Sequence, residues 1–283
     1  MKMLIFGHGY SAGYLTPELI AAGWDVTGTT RSDADRVAAA GARALIWPGQ
    51  DDDVRAALRE ADAVLVSAAP MAAGDPVLAA FRDDLAQAPL KWVGYLSTTG
   101  VYGDRQGGWV DETSVLDGQG PRGQARIRAE DDWRALSVSA GWPLHVFRLA
   151  GIYGPGRGPF AKLRDGSARR IIKPGQVFSR IHVTDIAQVL MASLARMGPG
   201  GAYNVCDDDP APPQDVIAHA AELLGLPVPP AIPFDQADMS PMARSFYGDS
   251  KRVRNDKIKR DLGVTLRYPD YHSGLADLLA SGG

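Results

Sequence analysis

The sequence predicts an α/β protein: a doubly wound parallel sheet with a smaller C-terminal lobe. Three observations predict it. Short, nearly continuous apolar runs alternate with longer Ala-rich stretches through residues 1–150, as expected of strands buried on both faces and joined by crossover helices. A glycine-rich turn opens at Gly7, directly after the first apolar run. Beyond Gly151 the texture changes, and Gly and Pro cluster in Gly151–Pro159, Pro210–Pro213 and Pro227–Pro233.

Taken in order, Lys2–Phe6, Asp25–Thr29, Ala42–Ile46, Ala63–Val66, Trp92–Leu96 and Leu144–Leu149 read as strands, each short and bounded by Gly, Pro or acidic residues. Helices are expected near 12–22, 33–40, 52–60, 75–87 and 124–138. A further helix begins near Thr184, where Ile186, Val189, Leu190 and Leu194 recur at helical spacing, and Tyr203–Cys206 has the look of another strand. Residues 1–150 are therefore expected to form one domain and 151–283 mainly a substrate lobe, with 182–206 returning to the first. The acidic runs Asp51–Asp53 and Asp207–Asp209 read as a solvated helix start and a turn.

Composition narrows the function. The chain has 283 residues, 30 Lys plus Arg against 33 Asp plus Glu, and a formal net charge of −3. No broad basic field exists to attract nucleic acid, so none is expected as a partner. The single cysteine, Cys206, excludes an intramolecular disulfide, and the five histidines show no metal-ligand spacing, so no metal is expected. The run Met3–Phe6 is too short for a signal-peptide core and no stretch of about 18 apolar residues occurs, so no membrane association is expected and the cytoplasm is the expected location.

Gly7-His8-Gly9-Tyr10-Ser11-Ala12-Gly13 fits G-x-G-x-x-A between a strand and a helix. Gly7 permits the tight turn, Gly9 lets backbone approach a diphosphate, and Ala12 allows close helix–strand packing. The N–H groups at the helix start, from Tyr10, Ser11 and Ala12, supply donors and a positive dipole end. The motif predicts a Rossmann-type dinucleotide site, with an S-adenosylmethionine site as the rival reading. The absence of G-x-x-x-x-G-K-[ST] speaks against a P-loop nucleotide triphosphatase. The second strand ends Gly28-Thr29-Thr30-Arg31 rather than in the acidic residue that serves the NAD ribose. Thr30 and the Arg31 guanidinium suit a 2′-phosphate, so NADP is the expected cofactor, with NAD as the alternative through Asp33. Ala68, after the fourth strand, completes the expected cofactor loop.

Several segments in order resemble the extended short-chain dehydrogenases/reductases of the NAD-dependent epimerase/dehydratase group. They are Leu96–Asp104 (LSTTGVYGD), Arg148–Gly156 (RLAGIYGPG), Arg180–Ala187 (RIHVTDIA) and Tyr203-Asn204-Val205, with Lys251–Leu262 resembling the closing helix. The resemblance implies a Rossmann domain with a C-terminal substrate lobe, and hydride exchange between a nicotinamide and an alcohol or ketone, often on a nucleotide sugar. It places Thr98 at the hydroxyl that holds the reacting oxygen. The family's Tyr-x-x-x-Lys pair falls instead on Arg122 and Arg126, which makes this an atypical member. Arginine stays protonated, so Arg122 cannot exchange a proton. Arg126 remains available to a ribose hydroxyl.

A replacement acid is expected near the nicotinamide if chemistry survives. Tyr102 is the first choice, against the plain reading that it packs beneath the cofactor loop; His182 is the second, with Asp104 and Tyr153 behind. Arg122 and Arg126 share a helix face, where Arg126 is expected to pair with Glu130. Arg122 and Arg180 are the candidate receivers of a substrate carboxylate or phosphate; the resemblance implies that the segments holding Arg148, Arg157 and Arg180 border the substrate cleft. The resulting expectation is an NAD(P)-binding oxidoreductase or epimerase-like enzyme acting on a small polar substrate, a nucleotide sugar or another anion, in a chain able to form a homodimer. The competing expectation is a non-catalytic NAD(P)-binding sensor or scaffold, favoured by the missing pair.

Overall fold

In the computed structural model of the chain, which describes residues 1–282, seven parallel strands form the central sheet. The first five are β1 (Lys2–Phe6), β2 (Asp25–Thr30), β3 (Arg43–Ile46), β4 (Ala63–Val66) and β5 (Trp92–Thr98). The strands Leu144–Leu149 and Gly201–Val205 complete the sheet, whose order from one edge is 201–205, 144–149, β5, β4, β1, β2, β3. Strand order therefore reverses between β1 and β4, which pair in register at Met3 and Ala63. In open α/β sheets a crevice forms outside the carboxyl ends of the strands at such a switch point.

Period-two geometry explains the two layers. Met3 and Ile5 join one buried cluster with Leu15, Leu19, Ile186 and Leu190, while Leu4 and Phe6 join another with Val54, Leu58, Phe81 and Trp133. The first layer holds α1 (Tyr10–Ala21), α2 (Ala34–Ala39) and the helix Val183–Arg196; the second holds α3 (Asp51–Glu60), α4 (Pro76–Gln87) and α5 (Gly120–Ala140). Local chemistry sets their ends. Asp75 caps α4 by accepting from the amides of Val77 and Leu78, with Pro76 in the first turn. Gly141, in left-handed conformation, ends α5. The Asp51–Asp53 run opens α3, where carboxylates favour the positive helix end.

The strand 201–205 lies beside 144–149 in parallel register, and the helix 183–196 packs on α1. A third, separate core gathers Tyr153, Phe160, Leu163, Val216, Ala220, Tyr271, Leu275 and Leu278 from the Pro-rich region. Three two-stranded parallel ladders stitch this part together: 151–153 with 180–182, 170–172 with 231–233, and 109–110 with 252–253. Among the described residues no helix is long and apolar enough to cross a membrane.

Candidate functional site

The glycine loop sits at the switch point, at the carboxyl end of β1. Gly7 takes φ +78°, and a Cβ there would lie 2.9 Å from the Ala68 amide nitrogen, so glycine is required by the chain's own packing. The Gly7 amide donates to Thr29 Oγ1 at 2.9 Å and the His8 amide to the Thr29 carbonyl at 2.7 Å, locking the turn to β2. Gly9 is different. Its φ of −105° is open to any residue, and a Cβ would meet nothing nearer than the Gly7 carbonyl at 3.7 Å. The protein itself does not require glycine at position 9. The space above it is what a closely approaching ligand backbone needs, at a helix start where no side chain caps the free amides. The loop therefore fits a dinucleotide diphosphate.

The end of β2 carries more cationic groups than the sequence pattern reveals. Arg31 is exposed and makes no hydrogen bond or ion pair with any described residue. Arg36 turns back to the loop, donating through Nη2 to the His8 carbonyl at 2.7 Å and through Nε to Asp33 at 3.1 Å. Asp33 also caps α2 by accepting the Arg36 amide, so the first acid after β2 is already engaged, while Asp35 in the first turn of α2 is exposed. Thr30 Oγ1 accepts from the Asp33 amide. The sequence reading missed Arg36 because its role comes from the fold of the α2 turn, not from its place in the motif.

Thr98 ends β5, half-buried, and its hydroxyl accepts the Gly100 amide at 3.1 Å at the start of a single turn over Thr99–Tyr102. Tyr102 points inward and is fully buried. It donates to Asn204 Oδ1 at 2.6 Å and accepts from Arg148 Nη1 at 2.9 Å. Burial pushes its phenol up to about 12, against the opposing pull of Arg148. Its oxygen is thus committed to protein partners.

Arg148 anchors a buried ionic hub. The Glu130 carboxylate, 0% exposed, accepts from Arg148 Nη2 at 2.9 Å, from Arg134 at 2.6 Å and from the Ser97 hydroxyl. Burial alone would raise the Glu130 carboxyl, but Arg148, Ser97 and Arg134 hold it below the ordinary range. The expected pairing of Arg126 with Glu130 is corrected: Glu130 is taken by Arg148 and Arg134. Arg126 instead lies over the Tyr95 ring and donates through Nη1 to Tyr95 Oη at 3.1 Å and to the Leu96 carbonyl at 2.8 Å. Its Nε and Nη2 make no hydrogen bond to any described residue. Arg148, likewise, is interior rather than part of a cleft wall.

Arg122 projects from the first turn of α5, exposed and without a hydrogen bond or ion pair to any described residue. Arg180 is half-buried and donates through Nη1 to the carbonyls of Phe178 and Ala211, both at 3.0 Å. Nearby Asp207 is 1% exposed and neither carboxylate oxygen has a hydrogen-bond partner, so the expected Asp207–Asp209 turn is corrected at its first residue, which is interior. His182 caps the helix 183–196 by accepting the Thr184 amide at Nδ1, and burial lowers it to about 4. Asp104 accepts from the amides of Gln106 and Ser250, and the Tyr153 hydroxyl donates to the Asp270 carbonyl. Among the described residues no three His, Cys, Asp or Glu side chains are grouped so that they could hold a metal ion.

No model of a known protein family matches the chain. A conserved protein of unknown function from Silicibacter pomeroyi is 57% identical, over 99% of each chain, with a TM-score of 0.93. Protein YeeZ of Escherichia coli K12 is 28% identical over 95% of this chain and 97% of its own length. A protein from Methylobacillus flagellatus described as an NAD-dependent epimerase/dehydratase is 27% identical over 99% and 98% of the two chains, with a TM-score of 0.74. More distant neighbours share the fold. Human SDR39U1, solved with NADPH, is 19% identical over 99% of both chains at TM-score 0.77; Bacillus cereus UDP-glucuronic acid 4-epimerase, solved with NAD, is 16% identical over 98% and 94% at TM-score 0.78. The chain thus belongs to one family with the Silicibacter pomeroyi protein, built on the Rossmann fold of the epimerase/dehydratase-like short-chain dehydrogenases/reductases.

Proposed function

We propose that the chain is an NADP-dependent oxidoreductase or epimerase-like enzyme acting on a small polar, anionic substrate. The observation that carries this reading is the pairing of two features at one crevice. Gly9 leaves room that the protein itself does not use, and β2 is followed by free Arg31 and loop-directed Arg36, with Asp33 engaged by Arg36. The second feature favours a 2′-phosphate over a bare ribose diol.

When bound, the nicotinamide supplies hydride exchange. The chain's own residues do the rest. The amides of Tyr10, Ser11 and Ala12 receive the diphosphate beside Gly7 and Gly9, with Ala68 forming the opposite wall. Arg126, fixed on Leu96, offers its remaining donors to the nicotinamide ribose. Thr98 orients the reacting oxygen at the end of β5, and the guanidiniums of Arg122 and Arg180 hold the substrate's anionic group. The Tyr102 hydroxyl is enclosed, so water at the Thr98 hydroxyl takes the proton when the substrate alcohol gives up hydride and returns one when the ketone is reduced. A non-catalytic dinucleotide sensor is the second reading, favoured by the same enclosure of Tyr102.

Calorimetric titration with NADPH, NADH and S-adenosylmethionine tests the reading. NADPH should bind most tightly; Arg31→Asp should weaken it about tenfold while leaving NADH nearly unchanged, and Arg36→Ala, which also releases the His8 carbonyl of the glycine loop, should weaken NADPH more than NADH. Binding of S-adenosylmethionine alone, or of none of the three, would remove the cofactor and the enzyme together.

A further inference from the structure

We infer that Arg157, from the loop after the strand 151–153, is a second cationic clamp on the diphosphate of the dinucleotide, contributed across the crevice from outside the glycine loop. The inference rests on the dinucleotide reading above and adds a residue and a direction of approach to it.

Tyr10 is the first residue of α1, immediately beyond Gly9. Its hydroxyl donates to the Pro155 carbonyl at 2.9 Å, tying the 154–157 loop to the glycine loop. That loop is itself closed by reciprocal backbone bonds between Gly154 and Arg157, at 3.1 and 2.8 Å. The approach is close: a Cβ on Gly154 would lie 2.6 Å from Tyr10 Oη and 2.7 Å from a Val183 methyl. The Arg157 guanidinium then lies over the Tyr10 ring, 4.5 Å from its centroid.

Stacking fixes a guanidinium plane without consuming its N–H donors, which remain free for an oxyanion. The Arg157 guanidinium, though exposed, makes no hydrogen bond or ion pair with any described residue and is held in place by the Tyr10 ring. The nearest anion-receiving features are the uncapped amides at the start of α1, one side-chain length away through Tyr10 itself. An ordinary surface arginine samples solvent; this one is oriented, unneutralised and next to a site shaped for phosphate. A diphosphate bound there would meet helix amides on one side and a guanidinium on the other, and the clamp would also tether the 154–157 loop when cofactor is present.

The test compares NADPH with adenosine 2′-monophosphate, which carries the 2′-phosphate but no diphosphate. Arg157→Ala should weaken NADPH about tenfold or more and leave adenosine 2′-monophosphate unchanged, and Arg157→Lys should recover part of the loss because charge returns without the fork. Equal affinity of wild type and Arg157→Ala for NADPH would overturn the clamp while leaving the cofactor reading intact. Equal weakening of both ligands would overturn it as well, since the effect would then be on the loop as a whole. Failure of the wild type to bind NADPH would overturn the cofactor reading and the clamp with it.

Discussion

Asp207 should make the protein lose stability as the solution becomes alkaline, and Asp207→Asn should remove much of that loss. The carboxyl is buried without a hydrogen-bond partner, and burial pushes it up to about 8, against the partial relief of nearby Arg180. A free aspartate titrates near 3.8. Below that value both native and unfolded chains hold the proton and the residue is neutral in the balance. Between about 4 and 8 the unfolded chain has released the proton and the native state has kept it, so stability falls with rising pH at about 1.4 kcal/mol per pH unit. The accumulated cost above pH 8 reaches about 6 kcal/mol as an upper bound, because water entry and local relaxation reduce such penalties. Asn keeps the shape and cannot ionise. Urea unfolding of both proteins at pH 5, 7 and 9 checks this. The variant should exceed wild type by at most about 1.6 kcal/mol at pH 5 and by about 2–6 kcal/mol at pH 9. A stability difference that stays constant across this range would refute the reasoning, since other titrating groups cancel in the comparison.

Gly9→Ala should lower NADPH affinity more than tenfold while costing at most about 1 kcal/mol of stability, as a substitution at a helix start does; Gly7→Ala should cost more in stability, because its φ of +78° and the Ala68 backbone leave no room. Thermal unfolding and NADPH titration of the two variants separate these effects. Gly28→Ala should be destabilising because its Cβ would fall 2.7 Å from His8 Cδ2 and 2.9 Å from both Cγ and Cβ, and His8→Ala, which removes the ring but keeps Cβ, should rescue part of the loss. Additive losses in that double-mutant cycle would show that the contact is not the cause. Arg148→Met should cost about 2–4 kcal/mol, because the buried Glu130 carboxylate keeps only Arg134 and Ser97 and the Tyr102 hydroxyl loses its donor, and adding Glu130→Met should recover part of it. Chemical denaturation measures both, and an unchanged midpoint in Arg148→Met would contradict the ionic hub.

Much of the main sheet is legible because its strands announce themselves. Lys2–Phe6, Ala63–Val66 and Leu144–Leu149 are apolar runs with sharp borders, and the structure places strands at those residues. The fifth strand runs two residues further than the apolar run, to Thr98, because Ser97 is buried by bonding Glu130 rather than by apolarity. The edge strand begins at Gly201, ahead of the expected Tyr203, since backbone pairing with 144–149 needs no side-chain signal. The ladders of the Pro-rich region, two or three residues each, are too short for any period to show. At the site, the glycine loop can be read from spacing, and Thr98 is singled out by the family resemblance. Arg36, Asp207 and the Glu130–Arg148 pair cannot, because each owes its role to a partner distant in sequence. One clue to the last was available: an arginine inside Leu144–Leu149, a run otherwise suited to a strand buried on both faces, calls for a buried counter-charge.

The chain's route between its two bodies has a mechanical consequence. It leaves the sheet after 149, re-enters with the helix 183–196 and strand 201–205, leaves again for the helix Pro213–Leu223, comes back with Asp256–Leu262, and ends in the outer core with Tyr271–Ala280. A clamshell turns on one or two pivots; here several tethers cross the same gap and would all have to bend together. The aperture over the glycine loop is therefore set by side chains such as Tyr10 and Arg157 more than by swinging of a rigid half. For the same reason the outer body cannot be exchanged as a cassette: a single cut at residue 150 would strip the sheet of its edge strand and α1 of its packing partner.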